Sequence, residues 1–129
     1  MKIIFYLVQS LAPDFTAKAV ENGRIVNLSR SDLLKSPLKP SDPGYALLIF
    51  YPLDFTFVCP TELTAFADRL KEFHAESCRV VGISVDSEYS HLQWTKQSRS
   101  QGGLLSPNSE SSIFHIFTHN FIDHFLFRI

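Results

Sequence analysis

The clearest pattern in the chain is an apolar run, then an amphipathic segment, then a second apolar run. Residues 45–51 are aliphatic or aromatic and follow the turn-forming residues 41–44, which predicts a strand buried on both faces. In the next segment apolar side chains recur every three or four positions, at Leu63, Phe66, Ala67, Leu70 and Phe73. Residues 79–86 form the second apolar run. The order strand, helix, strand predicts a right-handed crossover between parallel strands.

Before this unit, the pattern predicts a hairpin and a loop. Gly23 follows Asn22 and predicts a tight turn between arms at residues 15–20 and 24–28. Serine, lysine and proline dominate residues 29–44, which predicts a loop with at most one helical turn. Residues 1–11 are interpreted as an atypical leader. Their apolar stretch is shorter than that of a typical signal peptide, so an extended segment is favoured and secretion is the alternative.

One thiol lies at the start of the predicted helix. Cys59 follows the first strand by a short loop, and Pro60 is suited to the first helical turn because it lacks an N–H that would stay unpaired there. A helix start carries partial positive charge and unpaired donors, which lower a cysteine pKa from about 8.5 to roughly 3.5–7.5. We therefore expect Cys59 to be a nucleophilic thiolate at neutral pH.

The residues around this thiol carry a resemblance to a known family. Residues 50–62 match the active-site segment of the peroxiredoxins, and their sequence is similar to that of the typical two-cysteine subgroup. Residues 85–87, His91-Leu92 and Trp94 are similar to the stretch after the next strand of that family. The resemblance runs from residue 12 to residue 104. It implies an α/β thioredoxin-like fold of the peroxiredoxin type, incomplete at its C-terminal end.

The resemblance also implies a function and its site residues. Cys59 would attack a hydroperoxide and become a sulfenic acid, which a thioredoxin-type dithiol then reduces, without a metal, haem or other cofactor. Thr56 would hold the thiolate and the peroxide oxygen in reactive geometry. The Pro52 ring would shield the thiolate from water, and Glu62 would orient an arginine partner of the thiolate.

Two groups that the family uses later in its chain are not identified in this sequence. These are an arginine that stabilises the thiolate and the leaving oxygen, and a resolving cysteine. Arg128 and Cys78 are the candidates for these roles, and both are disfavoured, since Cys78 precedes a core strand where a cysteine usually packs as a small apolar residue. Loss of such a charged donor commonly lowers a rate by roughly 10²–10³.

The resemblance divides the chain into a leader at 1–11, a partial peroxiredoxin-like domain at 12–104 and a non-family tail at 105–129. The tail's apolar spacing permits a helix with one apolar side, and we interpret it as a foreign ending on a truncated peroxiredoxin. A metal site at His115 and His119, a partner-binding helix and an interfacial membrane helix are weaker alternatives. Without the later strands, we expect the sheet to keep an unpaired edge that invites association.

Composition excludes several classes of function. The chain has 129 residues, 45% hydrophobic and 19% charged, which is typical of one globular domain. A net charge of −1 gives no support to nucleic-acid binding, and no apolar run reaches the roughly 18 residues that span a membrane. Two cysteines in unrelated settings favour a reducing compartment, here the cytoplasm.

The sequence leaves one functional alternative of another class. A truncated peroxiredoxin without enzymatic activity would bind full-length peroxiredoxin partners or unfolded clients through exposed apolar surface. A homodimer is a separate expectation for the partners of this chain. A disulfide oxidoreductase would need a Cys-x-x-Cys pair, which the sequence lacks. Three smaller features receive structural interpretations: His91 and Trp94 as packing residues, Gly102-Gly103 as a turn rather than a phosphate loop, and Asp86 as a helix cap.

Overall fold

The computed structural model describes residues 12, 14–56, 59–104 and 115–117, with side chains described except at residues 59, 60 and 115–117. The described part of the chain starts with two strands and a one-turn helix, which are followed by the crossover unit, a further helix, a 3₁₀ turn and a fifth strand. The elements are β1 Thr16–Glu21, β2 Arg24–Ser29, α1 Arg30–Leu33, β3 Tyr45–Phe50, α2 Cys59–Asp68, α3 Leu70–Ala75, β4 Cys78–Ile83, α4 Glu88–Lys96, a 3₁₀ turn Arg99–Gln101, and β5 His115–Phe117.

Strands β3 and β4 form the predicted parallel pair. Tyr45 lies opposite Cys78 and Phe50 opposite Ile83, so the two strands pair along their full length. The predicted hairpin is also confirmed, since β1 and β2 are antiparallel. Asn22 and Gly23 connect them with φ angles of 50° and 70°, the left-handed backbone that a tight hairpin turn requires.

The described residues form a sheet of five strands in the order β2-β1-β5-β4-β3. Val80 and Val81 of β4 are both buried and point to opposite faces, because successive strand residues alternate. Val81 belongs to one apolar cluster, with Phe15, Ala17, Ala19, Leu28, Leu33 and Ile83. Val80 belongs to a second cluster on the face of α2, α3 and α4, with Tyr51, Leu63, Leu70, Trp94 and Leu104. The strand β4 is thus buried on both faces. The prediction that residues 45–51 form a strand buried on both faces is wrong for β3, because β3 is an edge strand of the described sheet and its Tyr45 and Phe50 are exposed.

The amphipathic segment after β3 is two helices, where the sequence predicts one. The backbone of Arg69, with φ −106° and ψ 11°, departs from the helix and separates α2 from α3. The Arg69 N–H donates to the Phe66 carbonyl, a tight three-residue turn. The break keeps Leu63 and Leu70 in the same cluster and brings the Phe66 and Phe73 rings to 5.9 Å, so packing is preserved while the helix is interrupted.

The helical interpretation of the tail is wrong for residues 115–117. These residues form β5, which pairs parallel with β4 and antiparallel with β1. A gap between β1 and β4 would leave backbone donors and acceptors of two buried strands unpaired, and strand pairing satisfies them. The unpaired edges of the described sheet are therefore β2 and β3. Residues 1–11, His119 and Arg128 lie outside the described residues, as does the side chain of His115.

Helix α1 is the single helical turn that the sequence predicts between β2 and β3, and a capping box begins it. The Asp32 N–H donates to Ser29 Oγ, and the Ser29 N–H donates to Asp32 Oδ2. Hydrogen bonds from the Lys35 ammonium and from Ser29 lower the pKa of Asp32 from 3.8 to about 2. The ionised carboxylate therefore stabilises the folded state above about pH 4, and this contribution is lost as the pH falls through about 2.

We expect the Asp32→Asn variant to lose less stability on acidification than the unmodified chain. The difference in unfolding free energy between the two proteins, measured by urea unfolding, should shrink from about pH 6 to about pH 2. Because the Asp32 side chain is 41% exposed, solvent screening limits the effect to at most about 1 kcal/mol. A difference that stays constant over this range would contradict the assignment.

Candidate active site

The candidate nucleophile lies where the sequence predicts it. Helix α2 begins at Cys59, nine residues after Phe50 ends β3, so the thiol-bearing residue is in the first turn of a ten-residue helix. Backbone N–H groups in a first turn have no partner within the helix. An anion that develops beside this turn is therefore stabilised by unpaired donors and by the helix dipole.

The other three predicted site residues, Pro52, Thr56 and Glu62, lie close to the start of this helix in the sequence. The Thr56 hydroxyl donates to the Leu53 carbonyl at 3.1 Å, so it lies on the turn that leads into α2. Pro52 and Glu62 are exposed, Pro52 at the start of the loop and Glu62 in the first turn of the helix. The shielding and orienting roles of Pro52 and Glu62 stay predictions.

The loop between β3 and α2 contains a strained residue. Phe55 has a φ of 57°, a left-handed conformation that an aromatic residue rarely adopts. Its ring contacts Trp94 of α4, with ring centroids 6.1 Å apart. Such a conformation persists only where neighbouring groups hold it. In this loop the neighbouring groups belong to a buried polar network.

The centre of that network is Asp54, whose side chain has no exposed surface. Asp54 Oδ2 lies 2.7 Å from His91 Nδ1, and the His91 side chain is also fully buried. Tyr51 donates its hydroxyl to Oδ1 at 2.8 Å, and Ser90 donates to Oδ2 at 3.0 Å. Burial, followed by the nearby Asp54 charge, raises the pKa of Tyr51 well above its usual range, so Tyr51 remains a donor.

Asp86 joins the same network from the loop after β4. Its Oδ2 accepts from the Asp54 backbone N–H at 2.7 Å and from the Ser84 hydroxyl at 2.7 Å. The expectation that Asp86 caps a helix is wrong, because Ser87 is the N-cap of α4 and accepts from the Ser90 N–H. A short serine side chain next to the helix fills that position, which frees the Asp86 carboxylate to hold the loop.

Sequence reasoning missed this network. His91 and Trp94 are fully buried, so their interpretation as packing residues is confirmed, but His91 also pairs with the Asp54 carboxylate. Asp54 is the one charged residue among residues 51–58, and a buried carboxylate requires hydrogen-bonding partners. That requirement was the available signal, although it does not say which residue, 37 positions later, supplies the partner.

The network also offers a set of metal-binding groups. Ligand atoms of Asp54, Asp86 and His91 lie within 4.8 Å of one another. Both oxygens of Asp54 and one oxygen of Asp86 already accept hydrogen bonds from protein donors. The described contacts therefore account for these carboxylates as hydrogen-bond acceptors, which does not require an ion.

A cleft of about 460 Å³ lies beside the first turns of α2. Its lining comes from Thr61, Thr64 and residues 99–103. Arg99 borders this cleft and contacts the Asp68 carboxylate of α2 at 2.7 Å, a cation next to the helix that sequence reasoning did not single out. Gly102 ends the 3₁₀ turn with φ 81°, and a Cβ at Gly103 would overlap the Gln97 carbonyl. The interpretation of the glycine pair as a turn is confirmed.

The second cysteine has a different environment. Cys78 begins β4, is half-buried, and its Sγ lies 3.7 Å from the Arg79 carbonyl oxygen. Burial raises the pKa of its thiol, partly offset by a hydrogen bond from the Leu47 backbone. A thiol with a raised pKa is a weak nucleophile at neutral pH. The structural interpretation of Cys78 agrees with this environment.

Comparison with known proteins identifies the family. Residues 8–117 match the model of the AhpC/TSA family, and the chain belongs to this family. The match extends past the limit at residue 104 that the sequence resemblance indicated, through β5; the division into leader, domain and tail stays a prediction. The recognition of a peroxiredoxin is thereby confirmed.

Comparisons with individual relatives support the same family. The chain is 56% identical over 93 residues to a chloroplastic 2-cysteine peroxiredoxin of Chattonella marina var. antiqua, covering 72% of this chain and 44% of that protein. It is 46% identical over 98 residues to a thioredoxin peroxidase of Echinococcus granulosus, covering 76% of this chain and 47% of that protein. A reduced 2-Cys peroxiredoxin of Plasmodium vivax superposes with a TM-score of 0.69 and 33% identity, covering 86% of this chain and 61% of that one.

These comparisons confirm the fold class, an α/β thioredoxin-like fold of the peroxiredoxin type. The chain spans less than half the length of the curated relatives named above. Among the described residues, no helix combines the length and apolar character that a membrane crossing requires.

Proposed function

We propose that the chain is a thiol-dependent peroxidase that reduces hydrogen peroxide and organic hydroperoxides through Cys59. The thiolate attacks the terminal oxygen of the peroxide, an S–O bond forms and the O–O bond breaks. The departing oxygen takes a proton and leaves as water or an alcohol, and Cys59 is oxidised to a sulfenic acid. A dithiol then reduces the sulfenic acid to the thiol and becomes a disulfide, with release of water.

The observation that carries this proposal is the position of Cys59 as the first residue of α2 in a chain of this family. Unpaired N–H donors in the first turn favour the thiolate, which is the reactive form. Thr56 is one turn earlier in the chain, on a loop that the Asp54 network anchors. This arrangement suits a nucleophile held close to one face of a small electrophile.

The proposal is tested within a single protein, because the chain contains two cysteines in opposite environments. The 129-residue chain is mixed with hydrogen peroxide and a dimedone-type reagent, and sulfenic acid is quantified on the peptides of Cys59 and Cys78 by mass spectrometry. We expect the Cys59 peptide to be labelled at least about 100-fold faster, because its thiolate is favoured and that of Cys78 is not. Equal, slow labelling of both peptides would contradict a peroxidase.

The same experiment distinguishes the peroxidase from the non-enzymatic alternative. A chain that acts only by binding full-length peroxiredoxins or unfolded clients would show the background rate of an ordinary cysteine at both positions. The names of the relatives favour the enzyme, since they are peroxiredoxins and a thioredoxin peroxidase.

We propose a thioredoxin-type dithiol as the reductant, in line with the name of the Echinococcus granulosus relative. A cytoplasmic location and pairing with a second peroxiredoxin copy also stay proposals. Pairing is supported by the edge strand β3, on which Tyr45 and Phe50 are exposed. Gel filtration that gives the mass of one chain at all concentrations would argue against pairing.

A further inference from the structure

The loop that leads to Cys59 is held by one buried carboxylate. Asp54 lies two residues before Thr56 and five before Cys59, and its side chain has no exposed surface. An ionised carboxylate is rarely fully buried unless each oxygen has donors. In this loop, both Asp54 oxygens do.

Asp54 joins three separate parts of the fold. Its Oδ1 accepts from Tyr51 at the end of β3, and its Oδ2 contacts both Ser90 and His91 of α4. Its backbone N–H donates to Asp86 beyond β4. The loop is thereby fixed through both the side chain and the backbone of one residue.

The residue between Asp54 and Thr56 shows why such an anchor is needed. Phe55 is held at a φ of 57°, a conformation that an aromatic side chain disfavours and that a free loop would abandon. On one side of Phe55 the Asp54 contacts fix the backbone, and on the other side the Thr56 hydroxyl donates to Leu53. Release of Asp54 would let Phe55 relax and move Thr56 with it.

We propose that Asp54 is a positioning residue for the peroxide reaction of Cys59. It acts through the loop, holding Thr56 and the start of α2 in the geometry that the reaction requires, and does not itself contact the peroxide. The inference rests on the proposed function. A role in positioning separates two reactions of the same thiolate: attack on a peroxide depends on the geometry of the loop, and alkylation depends mainly on the amount of thiolate.

The test compares the rate constants of Cys59 with hydrogen peroxide and with iodoacetamide in three variants of the 129-residue chain. Asp54→Ala is expected to lower the peroxide rate constant about 100-fold, the usual cost of displacing reacting groups by about 1 Å. Its iodoacetamide rate constant should stay close to that of the unmodified chain. Asp54→Asn retains the shape and one acceptor oxygen, so it should recover part of the peroxide rate.

Asp32→Ala is the matched control, because it also removes a hydrogen-bonded carboxylate, but at the capping box of α1. It should leave both rate constants unchanged. If Asp54→Ala does not fold, Ser90→Ala decides, since it removes a single donor from Asp54 Oδ2 and should lower the peroxide rate alone by about fivefold.

Two results would overturn the inference. One is an unchanged peroxide rate constant in Asp54→Ala, or in Ser90→Ala if that variant is used. The other is an equal fall of the peroxide and iodoacetamide rate constants, which would mean that Asp54 acts only on general stability or on the thiolate. Failure of the proposed function is distinct, because the unmodified chain would then react with peroxide no faster than free cysteine.

Discussion

Replacement of Cys59 by serine is expected to abolish the fast reaction with hydrogen peroxide, lowering its rate constant by about 10³-fold or more. A serine hydroxyl stays protonated at neutral pH even at a helix start, so no comparable nucleophile remains there. Stopped-flow measurement of peroxide consumption by the reduced protein, with the unmodified chain and Cys59→Ser at equal concentration, would record the difference.

The matched control is Cys78→Ser, which removes the other thiol. Because burial raises the pKa of Cys78, its thiolate is scarce at neutral pH, and its loss should leave the peroxide rate unchanged. Serine is close to cysteine in size, and the half-buried start of β4 tolerates it without a large cavity. A large loss of rate in Cys78→Ser, with activity retained in Cys59→Ser, would transfer the nucleophile to Cys78.

The parts of the fold that follow from local patterns were predicted from the sequence. The turn at Asn22-Gly23 depends on two adjacent residues, and the parallel pair of β3 and β4 was predicted because each strand and the helical segment between them has its own local apolar pattern. The break at Arg69 and the strand at 115–117 have no such local pattern. The first depends on the backbone angles of one residue, and the second on pairing with strands that lie far away in sequence.

The same distinction applies to the candidate site. The position of Cys59 at a helix start follows from the adjacent apolar run and Pro60, so the sequence predicts it. The Asp54–His91 pair joins residues 37 positions apart, and only the packing of α4 against the loop brings them together. Sequence patterns predicted the candidate reactive group, whereas the groups that hold its surroundings became visible in the tertiary structure.

Packing at Trp94 is expected to contribute the largest single side-chain term to stability among the described residues. Trp94 is fully buried in the second apolar cluster, and its ring lies 5.7 Å from that of Tyr51. Its Nε1 donates to the Gly102 carbonyl at 2.9 Å, which joins α4 to the turn that follows it. We expect Trp94→Ala to lower the free energy of unfolding by about 3–5 kcal/mol, because it leaves a large cavity and an unpaired carbonyl.

Trp94→Phe separates the two contributions. Phenylalanine keeps most of the apolar packing and loses the hydrogen bond to Gly102. Trp94→Phe should therefore lower the free energy of unfolding by less than Trp94→Ala, because it loses a hydrogen bond without leaving a large cavity. Trp94 is the single tryptophan of the chain, so urea unfolding must be followed by circular dichroism instead of its fluorescence. A cost of under about 1 kcal/mol for Trp94→Ala would contradict a close-packed cluster at this position.

Trp94 also contacts Phe55, in the loop that leads to Cys59. Both Trp94 variants should therefore slow the peroxide reaction of Cys59, in the same order in which they lower stability. The packing of α4 would then support both the fold and the loop that leads to the thiol.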